Sequence, residues 1–191
     1  MDTSFDNEVE SALNVLRNGG IILYPTDTIW GIGCDATNEK AVQRIYSVKK
    51  REDSKSMIIL VAEERDVLQY VAAPDLAVFD FIEEQSRPTT VIFEQAIGLA
   101  DNLVADDGSV GIRIVKDEFC RHLIKRFRKP IVSTSANISG EPSPRFFTEI
   151  CEEVKQKVDY VVRWRQDVNT PSQPSQIIRW KNDGSYEFIR K

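Results

Sequence analysis

The sequence predicts a layered α/β domain built on a mixed sheet, and three observations predict it. Helical and strand-like periodicities alternate along the chain without a long structureless linker. The late strands follow one another too closely for helical crossovers, so part of the sheet must pair antiparallel. The 191 residues, 41% of them hydrophobic, suffice for one substantial core and fit a single domain over residues 1–191.

The first helix is expected over 6–17, where Val9, Leu13 and Leu16 share a face and Gly19 and Gly20 stop the run. A strand over 21–24 ends at Pro25. A second helix over 39–50 places Ala41, Ile45 and Val48 inward and Lys40, Arg44 and Lys49 outward, and a strand over 57–61 follows. Further helices are expected over 64–70, 75–85, 118–127 and 146–157. Strands are expected over 90–93, 110–115, 131–133, 160–163, 176–180 and 186–189. Residues 169–175, rich in Pro, Ser and Gln, read as a loop, either mobile or a fixed connector.

The net charge of −5 excludes a surface that is basic throughout, leaving only a local RNA contact open. Cys34, Cys120 and Cys151 show no CxxC or Cys/His ligand spacing and read as reduced thiols of a cytoplasmic protein. Residues 1–17 are acidic and amphipathic, unlike a secretory signal, and no apolar run has membrane-spanning length.

Three segments carry chemistry. Residues 24–33 (YPTDTIWGIG) read as a strand end running into a turn with hydroxyls, a carboxylate and two glycines, either a ligand-facing bend or a locally stabilised Pro/Gly turn. A dinucleotide fingerprint fits Gly31 to Ala36, but Glu52 and Asp53 precede the next strand instead of following it, which argues against that reading. The basic run 49–55 offers Lys49, Arg51 and Lys55 to a triphosphate and its leaving pyrophosphate, or else only complements a helix C-terminus. Residues 133–140 (STSANISG) follow a short strand and place Ser135 and Asn137 on one side, as ligand donors or as an Asx turn. No G-x-S-x-G elbow is present, and His122 reads as a surface residue within the basic cluster 121–129, so serine nucleophile chemistry is disfavoured.

Together these segments resemble the YrdC-like threonylcarbamoyl-AMP synthase family, whose pattern runs Y-P-T-D/E-T-x-Y/W-G-L/I-G, then K-x-R, then S-A-N-x-S-G-x-x-S-P. The resemblance extends over about 19–189 and implies a three-layer α/β fold with a twisted mixed sheet flanked by helices, around a concave, positively charged cleft. It implies formation of threonylcarbamoyl-AMP and pyrophosphate from L-threonine, bicarbonate or CO2, and ATP, with Mg2+ on the phosphates and no protein metal cage. The product would pass to a downstream threonylcarbamoyl transferase acting on tRNA. Lys49 and Arg51 would be catalytic, and with Lys55, Ser109, Asn137, Arg145 and Arg190 they would contact the nucleotide. Thr28, Arg113, Ser135 and Ser175 would hold threonine, Arg113 pairing with its carboxylate.

The chain departs from the pattern at Glu52, where proline is usual, at Ser86 to Thr90 in place of P-G-P-x-T, and at Ser175 to Ile178. Leu60 stands where some members have a threonine-contacting histidine. The competing reading is a non-catalytic module of the same fold that binds tRNA or double-stranded RNA. Hydroxyls at Thr28, Ser135 and Ser175 converging with Arg113 discriminate against it, since they suit a small zwitterion rather than a phosphate backbone.

Overall fold

Two apolar clusters lie on opposite faces of one nine-stranded mixed sheet, and side-chain alternation along the strands assigns residues to each. The computed structural model describes residues 4–50, 57–170, 173–181 and 183–191. Its strands are β1 (Ile22–Tyr24), β2 (Gly31–Gly33), β3 (Ile58–Val61), β4 (Thr89–Phe93), β5 (Val110–Ile114), β6 (Ile131–Ser135), β7 (Tyr160–Val161), β8 (Gln176–Trp180) and β9 (Tyr186–Arg190). They are ordered β7-β1-β2-β6-β3-β5-β4-β8-β9. The pairs β1/β7, β3/β5 and β4/β8 are parallel and the other neighbours antiparallel, which gives the mixed sheet that the sequence predicts.

Helices α1 (Phe5–Arg17) and α5 (Glu118–Phe127) cover one face. Their Val9, Leu13, Leu16, Phe119, Leu123 and Phe127 pack on Ile22, Tyr24, Leu60 and Ile131. The other face is covered by α2 (Glu39–Lys49), α4 (Ala77–Glu84) and α6 (Glu152–Lys157), while the short α3 (Glu64–Val67) follows β3. Val42, Ile45, Val78, Ile82 and Val154 there meet Leu23, Ile59, Val61, Val91, Ile112 and Val132. The result is three layers. Asn38 caps α2 by accepting from the Ala41 N–H at 3.2 Å, and Asp117 caps α5 by accepting from the Cys120 N–H at 2.9 Å.

Three expectations need correction, and one is Lys49, read as facing outward from the second helix but buried at the end of α2. Residues 31–33, read as part of a turn, form β2 between β1 and β6. Glycine is required there because the Tyr24 ring crosses the strand to donate from its hydroxyl to the Val132 carbonyl at 3.1 Å. A Cβ on Gly33 would meet the Val132 carbonyl oxygen at 2.5 Å and the Tyr24 ring at 2.6 Å. The expected helix over 146–157 is interrupted: Ile150 and Cys151 are extended, which turns the Ile150 side chain into the core, and α6 starts only at Glu152.

His122 is exposed, as expected, and Cys34, Cys120 and Cys151 are free thiols. Among the described residues no helix is long and apolar enough to cross a membrane. Of the expected loop over 169–175, residues 171 and 172 lie outside the described residues.

Candidate active site

On the face covered by α1 and α5, the large apolar side chains give way to small ones toward one end of the sheet. Gly31 on β2, Gly111 on β5, and Ser133 and Ser135 on β6 occupy that region. A Cβ on Gly31 would meet Ser133 Oγ at 3.2 Å, and one on Gly111 would meet Ile58 Cγ2 at 3.0 Å. Without large side chains on this surface, a cleft of about 270 Å³ opens over it, lined by Thr28, Trp30, Gly31, Ile58, Arg113, Ser133, Ser135, Ser143, Ser175 and Arg190 among others. All four residues expected to hold an amino acid, Thr28, Arg113, Ser135 and Ser175, meet here, joined by Arg190.

Each of these side chains is set by its neighbours. Thr26 Oγ1 donates to the Ile29 carbonyl at 2.8 Å and accepts from the Thr28 N–H at 3.0 Å. Its single proton is thereby committed, so in the 3.0 Å contact between the two hydroxyls Thr28 must be the donor. The lone pairs of Thr28 are left as acceptors for a ligand's N–H or O–H. Ser175 Oγ lies 2.8 Å from Thr90 Oγ1, and its carbonyl accepts from Arg190 Nε at 3.0 Å and Nη2 at 2.8 Å.

Positive charge is concentrated at the cleft. The Arg113 side chain is 3% exposed and its Nη2 lies 3.0 Å from Asp27 Oδ1. Neither Asp27 Oδ1 nor Arg113 Nε makes an aligned hydrogen bond, so the contact is a charge pair more than a directional bond. Burial pushes the Asp27 carboxyl above its ordinary value, Arg113 opposes the shift and Asp117 adds to it. Burial, with repulsion from Arg113 and Arg87, pushes Arg190 below the ordinary arginine value. Such a field favours an anionic ligand.

Lys49 and Asn137 stand in the wall beside the cleft. Lys49 is buried, and its Nζ donates to the carbonyls of Ser135 at 2.5 Å and Asn137 at 2.7 Å and to Asn137 Oδ1 at 3.3 Å. Asn137 Nδ2 donates to the carbonyls of Ile138 and Glu141. Both therefore hold the loop after β6 in shape. Arg145 borders an adjoining cleft of about 220 Å³ that shares Thr28, Ile29 and Trp30 with the first, and it pairs with Glu149 at 2.8 Å. Ser109 is not among the residues that line this cleft; it lies just before β5, two residues from Gly111, whose strand partner Ile58 does line it. Arg51 and Lys55 lie outside the described residues.

The sequence reading missed Asp27 as the partner of Arg113 and Thr90 as the partner of Ser175. The parallel pairing of β4 with β8 makes the second contact and the turn after β1 meeting β5 makes the first, and no local motif announces either. The basic cluster 121–129 is largely neutralised: Lys125 pairs with Glu63, Arg126 with Glu10, and Lys129 with Asp35 at 2.6 Å. That pairing weakens the case for an RNA-gripping face there.

Residues 14–191 match the model of the Sua5/YciO/YrdC family, which carries the description "Telomere recombination". The chain belongs to the Sua5/YciO/YrdC family. It is 39% identical over 170 residues to a provisionally named threonylcarbamoyl-AMP synthase of Methanocaldococcus jannaschii, covering 88% of this chain and 78% of that one. It is 29% identical over 177 residues to the threonylcarbamoyl-AMP synthase of Idiomarina loihiensis, covering 91% and 94%. The crystal structure of P. abyssi Sua5 complexed with L-threonine superposes with a TM-score of 0.83 at 22% identity, over 95% of this chain. The chain spans 53% of that longer Sua5 chain, and the likeness establishes the Sua5/YciO/YrdC fold.

Proposed function

We propose that this chain is a threonylcarbamoyl-AMP synthase, forming threonylcarbamoyl-AMP and pyrophosphate from L-threonine, bicarbonate or CO2, and ATP, for the threonylcarbamoyladenosine modification of tRNA. The observation that carries the reading is the meeting of Arg113, Thr28, Ser135 and Ser175 with Arg190 in one cleft. The two relatives named as synthases, matched over most of both chains, point the same way.

In this reading threonine's carboxylate pairs with Arg113, and the lone pairs of Thr28 accept a hydrogen bond from its amine or hydroxyl. The neutral amine attacks the carbon of CO2, the C–N bond forms as one C=O π bond opens, and the nitrogen gives up a proton to water to leave a carbamate; from bicarbonate the same step expels water. A carbamate oxygen attacks the α-phosphorus of ATP, the bond to the bridging oxygen breaks, and pyrophosphate leaves. Arg190 faces the charge of the phosphates, with Arg51 and Lys55 assigned to the same task from the sequence. Asn137 and Lys49 hold the loop against which the nucleotide lies, and Arg145 approaches it from the adjoining cleft. The chain's residues thus orient two anionic reactants and screen their repulsion, which is how most of the rate would arise.

Magnesium would accompany the triphosphate. Among the described residues no group of three or more His, Cys, Asp or Glu side chains could hold a metal, and the donors on the cleft are hydroxyls and guanidinium groups. They do not fit a protein-held cation, so no step is assigned to one.

The test is pyrophosphate release with ATP, bicarbonate and single amino acids. Threonine-dependent release is expected. Arg113→Ala, which removes a charge-assisted pair, should lower kcat/KM for threonine about tenfold to a hundredfold. Release that ignores threonine, or survives Arg113→Ala undiminished, refutes the reading.

A further inference from the structure

We propose that Asp27 is a positioning residue for the amino-acid substrate: its carboxylate pairs with the guanidinium of Arg113 and keeps that group turned to the cleft. The inference rests on the synthase reading and deepens it, since Asp27 belongs to none of the residues assigned to ligand contact.

The geometry sets out the need. Arg113 is nearly enclosed, and a guanidinium stays charged under all ordinary conditions. Burying it without a countercharge is strongly unfavourable. Among the described residues Asp27 is the one acid within ion-pair distance of Arg113. The other charge felt near the cleft is of the same sign, because Arg113 and Arg87 both act on Arg190. If Asp27 were neutral, Arg113 would be repelled by that neighbour and free to turn toward solvent or toward a phosphate. With Asp27 charged, the guanidinium is held in place and still has donors left for a second carboxylate.

The support for Asp27 comes from elements apart in sequence. Asp27 lies in the turn after β1, Arg113 on β5, and Asp117 at the start of α5. Asp117 is itself committed, capping α5 and pairing through Oδ2 with Arg165 Nη1 at 2.9 Å. Tyr24 from β1 and Cys120 from α5 also face this region, and burial pushes both above their ordinary values, so they stay neutral near pH 7. Asp27 is the acid that faces Arg113 directly. Its carboxyl is shifted upward, so it takes up its proton at a higher pH than a free aspartate does, and the hold on Arg113 is lost as pH falls through that point.

The experiment compares wild type with Asp27→Asn, a change that keeps shape and removes charge. Steady-state pyrophosphate release should show the KM for threonine raised about tenfold or more in Asp27→Asn, with the KM for ATP within twofold. The wild-type threonine KM should climb toward acid pH, and the variant's should be flat. In a cycle with Arg113→Gln, adding Asp27→Asn should cause little further loss, because the two act through one contact. A threonine KM unchanged by Asp27→Asn at every pH overturns the proposal. So does an equal rise for ATP and threonine, which would indicate general damage to the site.

Calorimetric titration of L-threonine without ATP separates the two readings. Threonine binding that depends on Asp27, in a chain that releases no pyrophosphate, keeps the positioning role and refutes the synthase. A wild type that binds no threonine refutes both.

Discussion

Replacing Lys49 by Met is expected to loosen the loop after β6 and lower the stability of the whole chain by about 2–6 kcal/mol. The figure follows from the partners left behind. The Lys49 ammonium donates to the Ser135 carbonyl, the Asn137 carbonyl and Asn137 Oδ1. The Ser135 carbonyl also accepts from the Asn137 N–H at 2.9 Å, so it keeps a partner. Among the described residues the two Asn137 oxygens have no other donor, and each buried acceptor without a donor costs about 1–3 kcal/mol. Methionine retains the apolar stem, so packing loss contributes little. For a chain of this size each kcal/mol moves the melting temperature by about 2–4 °C. Thermal unfolding followed by circular dichroism should therefore show a fall of roughly 4–24 °C. ATP titration should show weaker nucleotide binding, because the loop carrying Asn137 is no longer held. A variant with unchanged melting temperature and a large loss of ATP affinity would refute this reasoning, since it would mean that Lys49 serves the phosphates directly and the loop stands without it.

Two other substitutions test neighbouring parts of the site. Gly33→Ala forces a methyl group against the Val132 carbonyl and the Tyr24 ring, and overpacking of this kind costs about 1–3 kcal/mol. Denaturant unfolding should show that loss, and an unchanged midpoint would mean that β1 and β6 can separate freely at β2. Thr26→Val removes the acceptor that fixes the Thr28 hydroxyl, so the KM for threonine should rise about two- to tenfold with little change for ATP. Thr26→Ser should keep the wild-type value, and a defect in Thr26→Ser with none in Thr26→Val would show that the methyl group, not the hydroxyl, matters.

Where periodicity is strong the sequence already contains the fold. Residues 118–127 follow a capping aspartate, Asp117, and carry apolar residues on one face, and α5 occupies those positions. Residues 176–180 alternate as a half-buried strand does, and β8 matches them. β2 escaped notice because two of its three residues are glycines, which locally signal a turn, while the requirement for glycine comes from Tyr24 on another strand. For the same reason Lys49 looks from the sequence like an exposed phosphate ligand. The carbonyls that enclose it lie 86 and 88 residues further along. The hydroxyls expected at the cleft were found there because their strand ends face a floor of small residues.

The three motifs that suggested the function are also joined physically. The Ala136 N–H donates to the Trp30 carbonyl at 3.1 Å, and the Ser139 N–H donates to the Lys49 carbonyl at 2.9 Å. The loop after β6 is thereby bonded to the turn that carries Thr28 on one side and to the end of α2 on the other. The Lys49 ammonium reaches back into the same loop. In the proposed synthase, a displacement of that loop would disturb the cleft assigned to the amino acid through Trp30 and the wall assigned to the nucleotide through α2 together. Chemistry that joins a carbamate to a phosphorus atom needs the two reactants aligned within a fraction of an ångström. A shared, internally bonded loop meets that need more simply than two independent sites would, because neither reactant's site can drift without the other's.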